Sequence, residues 1–220
     1  MPLPFVLDHI NLYLLRDDDG WTIIDTGIRG PTTMAHWEHV LKIFFEGAPV
    51  TRVIATHMHP DHVGQAGWLT RHCKVDLWMT RTEFLSCKVI AGDGPADVPD
   101  DAVRFYHQCG FDQHQLDLYR QRFGSFGAMI ERLPAGFRRI RDTEVLLING
   151  IEWQVVVWRG HSPEHACLYC PSMNLFISGD QVLPRISSNV SVFPSEPHAD
   201  PLSEFLQACS DIRTRVSDEV

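Results

Sequence analysis

This sequence predicts a mixed α/β (α+β) fold, on three observations. Short apolar runs of strand character, such as Trp21 to Asp25, Val50 to Thr56 and Ile151 to Trp158, are interleaved with stretches of helical period. Several of these runs stop at a polar residue of metal-ligand type: Asp25, His57, His161 and Asp180 all sit just past an apolar run. The third observation is size and composition. At 220 residues, 44% hydrophobic and 21% charged, the chain is long enough for one well-buried core and short for two. The expectation is a single domain over residues 1–220 with a helical insertion at about residues 80–137.

Taken in order, Phe5 to Arg16 and Trp21 to Asp25 read as two strands joined by Asp17-Asp18-Asp19-Gly20, a turn ending in Asp-Gly. Pro31-Thr32 opens a helix whose Trp37, Val40, Leu41 and Phe44 recur at helical spacing, and Gly47 and Pro49 end it. Val50 to Thr56 is a strand, Pro60 stands as a first helical residue, and one helix is expected from about Asp61 to His72. Val75 to Met79 is a further strand. Thr80-Arg81-Thr82-Glu83 is a capping-box pattern for a helix closed by Gly92, and Asp93 to Pro99 reads as a loop. Two more helices follow, from Asp100 or Asp101 to near Gly110 and from Asp112 to near Gly124. Phe105, Tyr106, Leu116, Tyr119 and Phe123 give this hairpin an apolar face, which suits a lid over a site and a self-stabilising excursion equally. Strands return from Phe137: Thr143 to Ile148 and Ile151 to Trp158 form a hairpin about Asn149-Gly150, a type I′ turn signal. Ala166 to Pro171 and Leu175 to Ser178 form another hairpin, and 181–198 is irregular. Asp200-Pro201 caps a last helix with Leu202, Phe205, Leu206 and Cys209 on one stripe.

Composition narrows the function classes. No apolar run approaches the ~20 residues of a membrane span, and the start lacks a basic n-region and apolar h-region, so no membrane partner and no signal peptide are expected. A net charge of −9 argues against a nucleic-acid partner, which needs clustered Lys and Arg. Six cysteines without a framework spacing read as reduced thiols of a cytoplasmic protein, and Cys167-Leu168-Tyr169-Cys170, lying in a strand-like run, reads as packing. A homo-oligomer is compatible with all of this.

The most informative stretch is Thr56-His57-Met58-His59-Pro60-Asp61-His62-Val63-Gly64, with three His and one Asp in six residues at a strand end. A solvated, His-rich loop is the bland alternative in a chain with 12 His. Imidazole and carboxylate placed together suit Zn²⁺, and iron or manganese less exclusively.

Asp25-Thr26-Gly27, Thr56-His57-x-His59-x-Asp61-His62, Gly160-His161-Ser162-Pro163-x-His165 and Ser178-Gly179-Asp180, in this order and spacing, closely resemble the motifs of the metallo-β-lactamase superfamily of hydrolases. The resemblance runs from about residue 5 to 200, and the Asp-His-Val-Gly and Gly-His-Ser-Pro forms look most like the glyoxalase II-like branch, with its thioesterases and lactonases. It implies an αββα sandwich carrying a binuclear metal site along one edge. It further implies that His57, His59 and His161 hold a first metal, Asp61 and His62 a second, and that Asp180 bridges both. Asp25 and His165 are implied to support the ligands from behind, His165 by orienting the His161 loop. Two ions sharing a water lower its pKa from about 15.7 towards ~7 and so provide a hydroxide for a small carbonyl substrate, a thioester, lactone or ester. Asp61 is the candidate catalytic residue that takes or hands on a proton. The cofactor implied is zinc, one or two ions per chain, with iron or manganese as alternatives.

The family adds one more His to the second metal from a strand beyond the last helix, whereas no His follows His198, which reads as a surface residue. The expectation is that either the chain is a truncated form or its second metal site is incomplete, and that the sheet edge left without the family's C-terminal strand is continued in a longer protein or covered by a partner. Two competing functions stand beside the hydrolase: a phosphodiesterase or nuclease of the same fold, disfavoured by the −9 charge, and a degenerate module that keeps a metal without activity.

Overall fold

The computed structural model describes residues 1–4, 7–92, 97–217 and 219–220. Strands β1 (Tyr13–Asp17) and β2 (Gly20–Ile24) pair antiparallel, while β3 (Val50–Ile54), β4 (Leu77–Met79) and β5 (Arg138–Arg139) continue the first sheet parallel to β2. Parallel strands require crossovers, and helix α1 (Pro31–Ile43) links β2 to β3. Helices α2 (Pro60–Val63) and α3 (Ala66–Cys73) then link β3 to β4. The second sheet is an antiparallel meander of β6 (Val145–Ile148), β7 (Ile151–Trp158), β8 (His165–Cys170) and β9 (Leu175–Ile177). The geometry of the strands brings the polar residues together. β2 and β3 run parallel, so Asp25 and His57 leave the first sheet at one edge. β7 and β9 are both antiparallel to β8, so His161 and Asp180 likewise leave the second sheet together. The Ala166 N–H donates to Thr56 O (2.9 Å), tying the two edges to each other.

Alternation along the strands builds three apolar layers. Ile23 and Val53 face outward with Trp37, Leu69 and Phe84 of the helical layer, whereas their neighbours Ile24 and Ile54 face inward onto Trp153, Val155 and Leu168 of the second sheet. On the far side Val156, Trp158, Cys167 and Tyr169 meet Ala208 of α7 (Pro201–Arg215). Three interfaces between four layers are an αββα sandwich, as expected. The Asn149-Gly150 turn is left-handed at both residues (φ 53° and 70°), the type I′ geometry its sequence calls for. All six cysteines are free, and Cys167 and Cys170 are buried in β8, which supports the packing role.

Several expectations need correction. The first strand starts at Tyr13; Phe5 and Val6 lie outside the described residues, and before Tyr13 only a Pro2–His9 bridge pairs among the described residues. The helix expected over 61–72 is two helices, because the Gln65 N–H is taken by Gly27 O (3.0 Å) and Thr26 Oγ1 (3.1 Å) rather than by a carbonyl one turn back. The stripe expected on α7 holds at Phe205 alone, and Cys209 is exposed. Leu202 and Leu206 are exposed (57% and 60%), and the helix packs instead through Phe205, Ala208 and Ile212. A Cβ placed on Gly160 would lie 2.5 Å from Phe205 Cβ, so the bare glycine lets α7 approach at Phe205.

The insertion consists of α4 (Arg81–Gly92), α5 (Asp100–Gln108) and α6 (Gln113–Arg122), while residues 93–96 of the expected loop lie outside the described residues. Asp112 and Gln115 form a capping box at the start of α6. α5 and α6 are held by Tyr106, whose ring packs on Tyr119 (4.5 Å between centroids) and Phe111 (4.9 Å). Tyr106→Ala is therefore expected to speed amide exchange across α5 and α6 while leaving metal affinity at the wild-type level. A matching loss of bound metal would show that the hairpin supports the ligands.

Candidate metal centre

The four strand ends deliver seven buried or half-buried polar side chains to one place. His57, His59, His161 and Asp180 form one group and Asp61, His62 and Asp180 a second, with the donor atoms of each group within 4.8 Å of one another. Asp180 is common to both: its Oδ2 lies 3.7 Å from His161 Nε2 and its Oδ1 lies 3.2 Å from His62 Nε2. Asp61 Oδ2 stands 3.8 Å from the same His62 nitrogen. His198 is exposed and belongs to neither group.

The hydrogen-bond network fixes which ring nitrogens are free. Thr56 Oγ1 donates to Asp25 (2.8 Å), so it accepts from His57 Nδ1–H (3.0 Å) and leaves His57 Nε2 with a bare lone pair. His161 Nδ1–H donates to Asn189 O (2.9 Å) and also presents Nε2 inward. His62 Nδ1–H donates to Asp25 Oδ2 (2.8 Å), the carboxylate–histidine arrangement that orients a metal ligand. Asp25 holds this post with a left-handed backbone (φ 59°), a costly conformation for a side-chain residue that is fixed here by bonds from Thr56 N, Thr56 Oγ1 and His62.

These residues fit a divalent metal. His57 Nε2 faces His161 Nε2 at 3.2 Å, both left as lone pairs by these bonds, and His59 Nδ1 at 2.9 Å, so three ring nitrogens converge with at most one proton among them. A tetrahedral ion with bonds of about 2.0–2.1 Å sets its ligand atoms about 3.3 Å apart, close to these spacings. In the second group His62 Nε2 is buried and makes no hydrogen bond among the described residues. It lies near Asp180, but not in the direction that a ring N–H bond requires.

Burial and the electrostatics point the same way. Burial, helped by the neighbouring imidazoles, holds His57 well below the usual histidine range and His59 down at about 3. Burial also lowers His161 and His165, leaving four neutral imidazoles. His62 differs: burial opposes its charge, but the Asp25 and Asp180 carboxylates outweigh burial and raise it to about 10. Burial would raise Asp180 too, yet His62, His161 and His165 bring it to about 2. Burial raises Asp61 above the ordinary carboxylate range.

Two parts of the site differ from the sequence reading. His165 supports Asp180 rather than the His161 loop, since its Nε2 accepts the Asp180 N–H (3.1 Å) and its Nδ1–H points at Cys167 Sγ (3.5 Å). Gly179 lets the ring approach: it is left-handed (φ 51°), and a Cβ there would sit 2.6 Å from His165 Nε2. The second difference is Glu83, read as the last residue of a capping box. It is fully buried and accepts from Met58 N, Ser162 Oγ and Glu164 N instead, and burial pushes its carboxyl up to about 7 against those three bonds. A signal was present in the sequence: Glu83, Phe84 and Cys87 share the buried stripe of α4, where an acid is out of place.

Comparison with known proteins agrees with this architecture. The family model described as the metallo-beta-lactamase superfamily matches residues 6–215. A beta-lactamase domain protein from Burkholderia ambifaria is similar over 99% of this chain and 62% of its own, with a TM-score of 0.87 and 40% identity. The metallo-beta-lactamase family protein TTHA1429 from Thermus thermophilus shares the fold over 96% of this chain and 67% of its own, at a TM-score of 0.77 and 23% identity. Among curated proteins, the probable metallo-hydrolase YflN of Bacillus subtilis (strain 168) is 24% identical over 144 residues, 64% of this chain and 47% of that protein. The chain thus spans about half the length of that curated relative.

Proposed function

Because the chain belongs to the metallo-β-lactamase superfamily, we propose that it is a metal-dependent hydrolase of small carbonyl substrates, a thioester, lactone or ester. The observation that carries this reading is the convergence of His57 Nε2, His59 Nδ1 and His161 Nε2, with Asp180 reaching from this group to a second one. Zinc suits a set of three imidazoles and a carboxylate, and iron or manganese would accept the same donors. A divalent ion held there supplies Lewis acidity, which activates water and polarises a carbonyl.

The chain's own residues do the rest. Asp25 and Thr56 keep the His57 and His62 rings turned so that Nε2 faces the centre, and Asn189 O does the same for His161. His165 holds the backbone from which Asp180 projects, so that its two oxygens are aimed at the two groups. Burial pushes the Asp61 carboxyl up and the side chain is part-exposed beside His62, which supports its role in taking or handing on a proton. We further propose a single domain with a helical insertion, acting in the cytoplasm as a homo-oligomer. No described helix is long and apolar enough to cross a membrane.

Metal content measured alongside turnover of thioester, lactone, aryl ester, β-lactam and phosphodiester substrates tests this reading. One of the first three should be hydrolysed, and chelation should abolish the activity. His161→Ala removes one of three imidazoles, so metal affinity should fall by at least about 100-fold and turnover with it. Full metal and turnover in that variant would refute the ligand assignment, and hydrolysis of the phosphodiester alone would refute the substrate class.

A further inference from the structure

We propose that Glu83 is a positioning residue that sets the spacing between the two ligand loops and thereby the affinity of the first metal group. This inference rests on the metal reading above. All three donors to the Glu83 carboxylate belong to loops that carry ligands. Met58 N (2.9 Å to Oε2) lies between His57 and His59, and Ser162 Oγ (2.6 Å) and Glu164 N (2.7 Å), both to Oε1, follow directly on His161. The brace is reciprocal. The Glu164 side chain accepts from Thr82 N (2.8 Å) and its carbonyl accepts from Thr80 Oγ1 (2.8 Å), so the start of α4 and the His161 loop hold each other at four points. Through this one carboxylate the loop of His57 is connected to the loop of His161, whose facing Nε2 atoms are 3.2 Å apart.

The chemistry of the position argues for that role. Glu83 is fully buried, and among the described residues no cation pairs with it. A buried carboxylate without a cation is costly to keep, and an apolar side chain on the same stripe would pack without that cost. What an apolar side chain lacks is the capacity to accept from three donors on two separate loops. Glutamine also falls short. Its carbonyl can replace Oε1 and keep Ser162 and Glu164, but its NH₂ then faces the Met58 N–H, donor against donor; the flipped amide loses the other loop. Glu83→Gln therefore uncouples the loops while changing volume very little.

The experiment uses metal-free protein titrated with Zn²⁺ and with Co²⁺ against a chromophoric chelator. Glu83→Gln, Ser162→Ala and the solvent-facing control Glu152→Gln are compared with wild type. The thermal midpoint of each metal-free protein is recorded as well. Losing a partner behind the ligands typically weakens metal binding about 10–100-fold, and that is the loss expected for Glu83→Gln, with an altered Co²⁺ absorption spectrum. Ser162→Ala should move affinity the same way by less, and Glu152→Gln should not move it. Wild-type affinity and spectrum in Glu83→Gln, with or without a lower thermal midpoint, would overturn the proposal. If Glu83→Gln does not fold, wild-type affinity and spectrum in Ser162→Ala would overturn it. A wild-type protein that binds neither ion would defeat the functional reading itself, whereas tight binding unchanged by either variant defeats only the role of Glu83.

Discussion

Asp180→Ala is expected to empty both metal groups, the largest single effect available in this site. Every other ligand belongs to one group, whereas Asp180 contributes to each. The variant isolates the side chain, because the part of this residue that organises the fold is its backbone. The Asp180 N–H is held by His165, and its carbonyl accepts from Ser188 Oγ. Both bonds survive the substitution. Affinity for the first ion should fall by at least about 100-fold, roughly 2.8 kcal/mol, with turnover falling at least as far. Asp180→Asn should be intermediate, since its one carbonyl oxygen can serve only one group. Metal per chain by elemental analysis after dialysis, with the thermal midpoint taken in chelator, decides the matter. Wild-type metal content in Asp180→Ala would show that Asp180 is not shared.

How much of this could be read beforehand depended on how local each feature is. His57, His59, Asp61 and His62 are contiguous at the end of one strand, so their order alone betrays them. His161 and Asp180 lie far along the chain from that cluster and were legible because each also ends an apolar run that is followed by a turn. Glu83 was hidden because its donors lie 25, 79 and 81 residues off, while a nearby pattern, Thr80 to Glu83, offered a local explanation. The role of His165 was misplaced for a related reason: it sits beside His161 in sequence but faces Asp180 across the β8–β9 pair. On α7 the large residues suggest the buried stripe, yet the helix is turned so that Ala208 and Ile212 meet the sheet while Leu202 and Leu206 face solvent. Periodicity reports where apolar residues recur and carries no information on how near the neighbouring element comes.

The second group should bind its ion more weakly than the first, and its affinity should depend more steeply on pH. It offers three donors against four, and one of the three, Asp180, is shared. The protonation states separate the groups further. His57, His59 and His161 are pushed down by burial, His59 to about 3, so at neutral pH they present lone pairs without first losing a proton. His62 is the reverse case: burial opposes its charge, but Asp25 and Asp180 raise it to about 10, so at about pH 7 an ion must displace a proton from it. Proton competition acts below the raised pKa. The apparent affinity of the second group should therefore rise about tenfold per pH unit from about pH 7 to 9, while that of the first stays nearly flat. Asp25→Asn removes one of the two carboxylates that hold the proton and should flatten the slope, even where it also weakens binding. Chelator-buffered titrations at three pH values across that window, resolved into two steps, provide the check. Two ions bound equally tightly, with the same pH slope, would mean that His62 is not a ligand of a separate, weaker site.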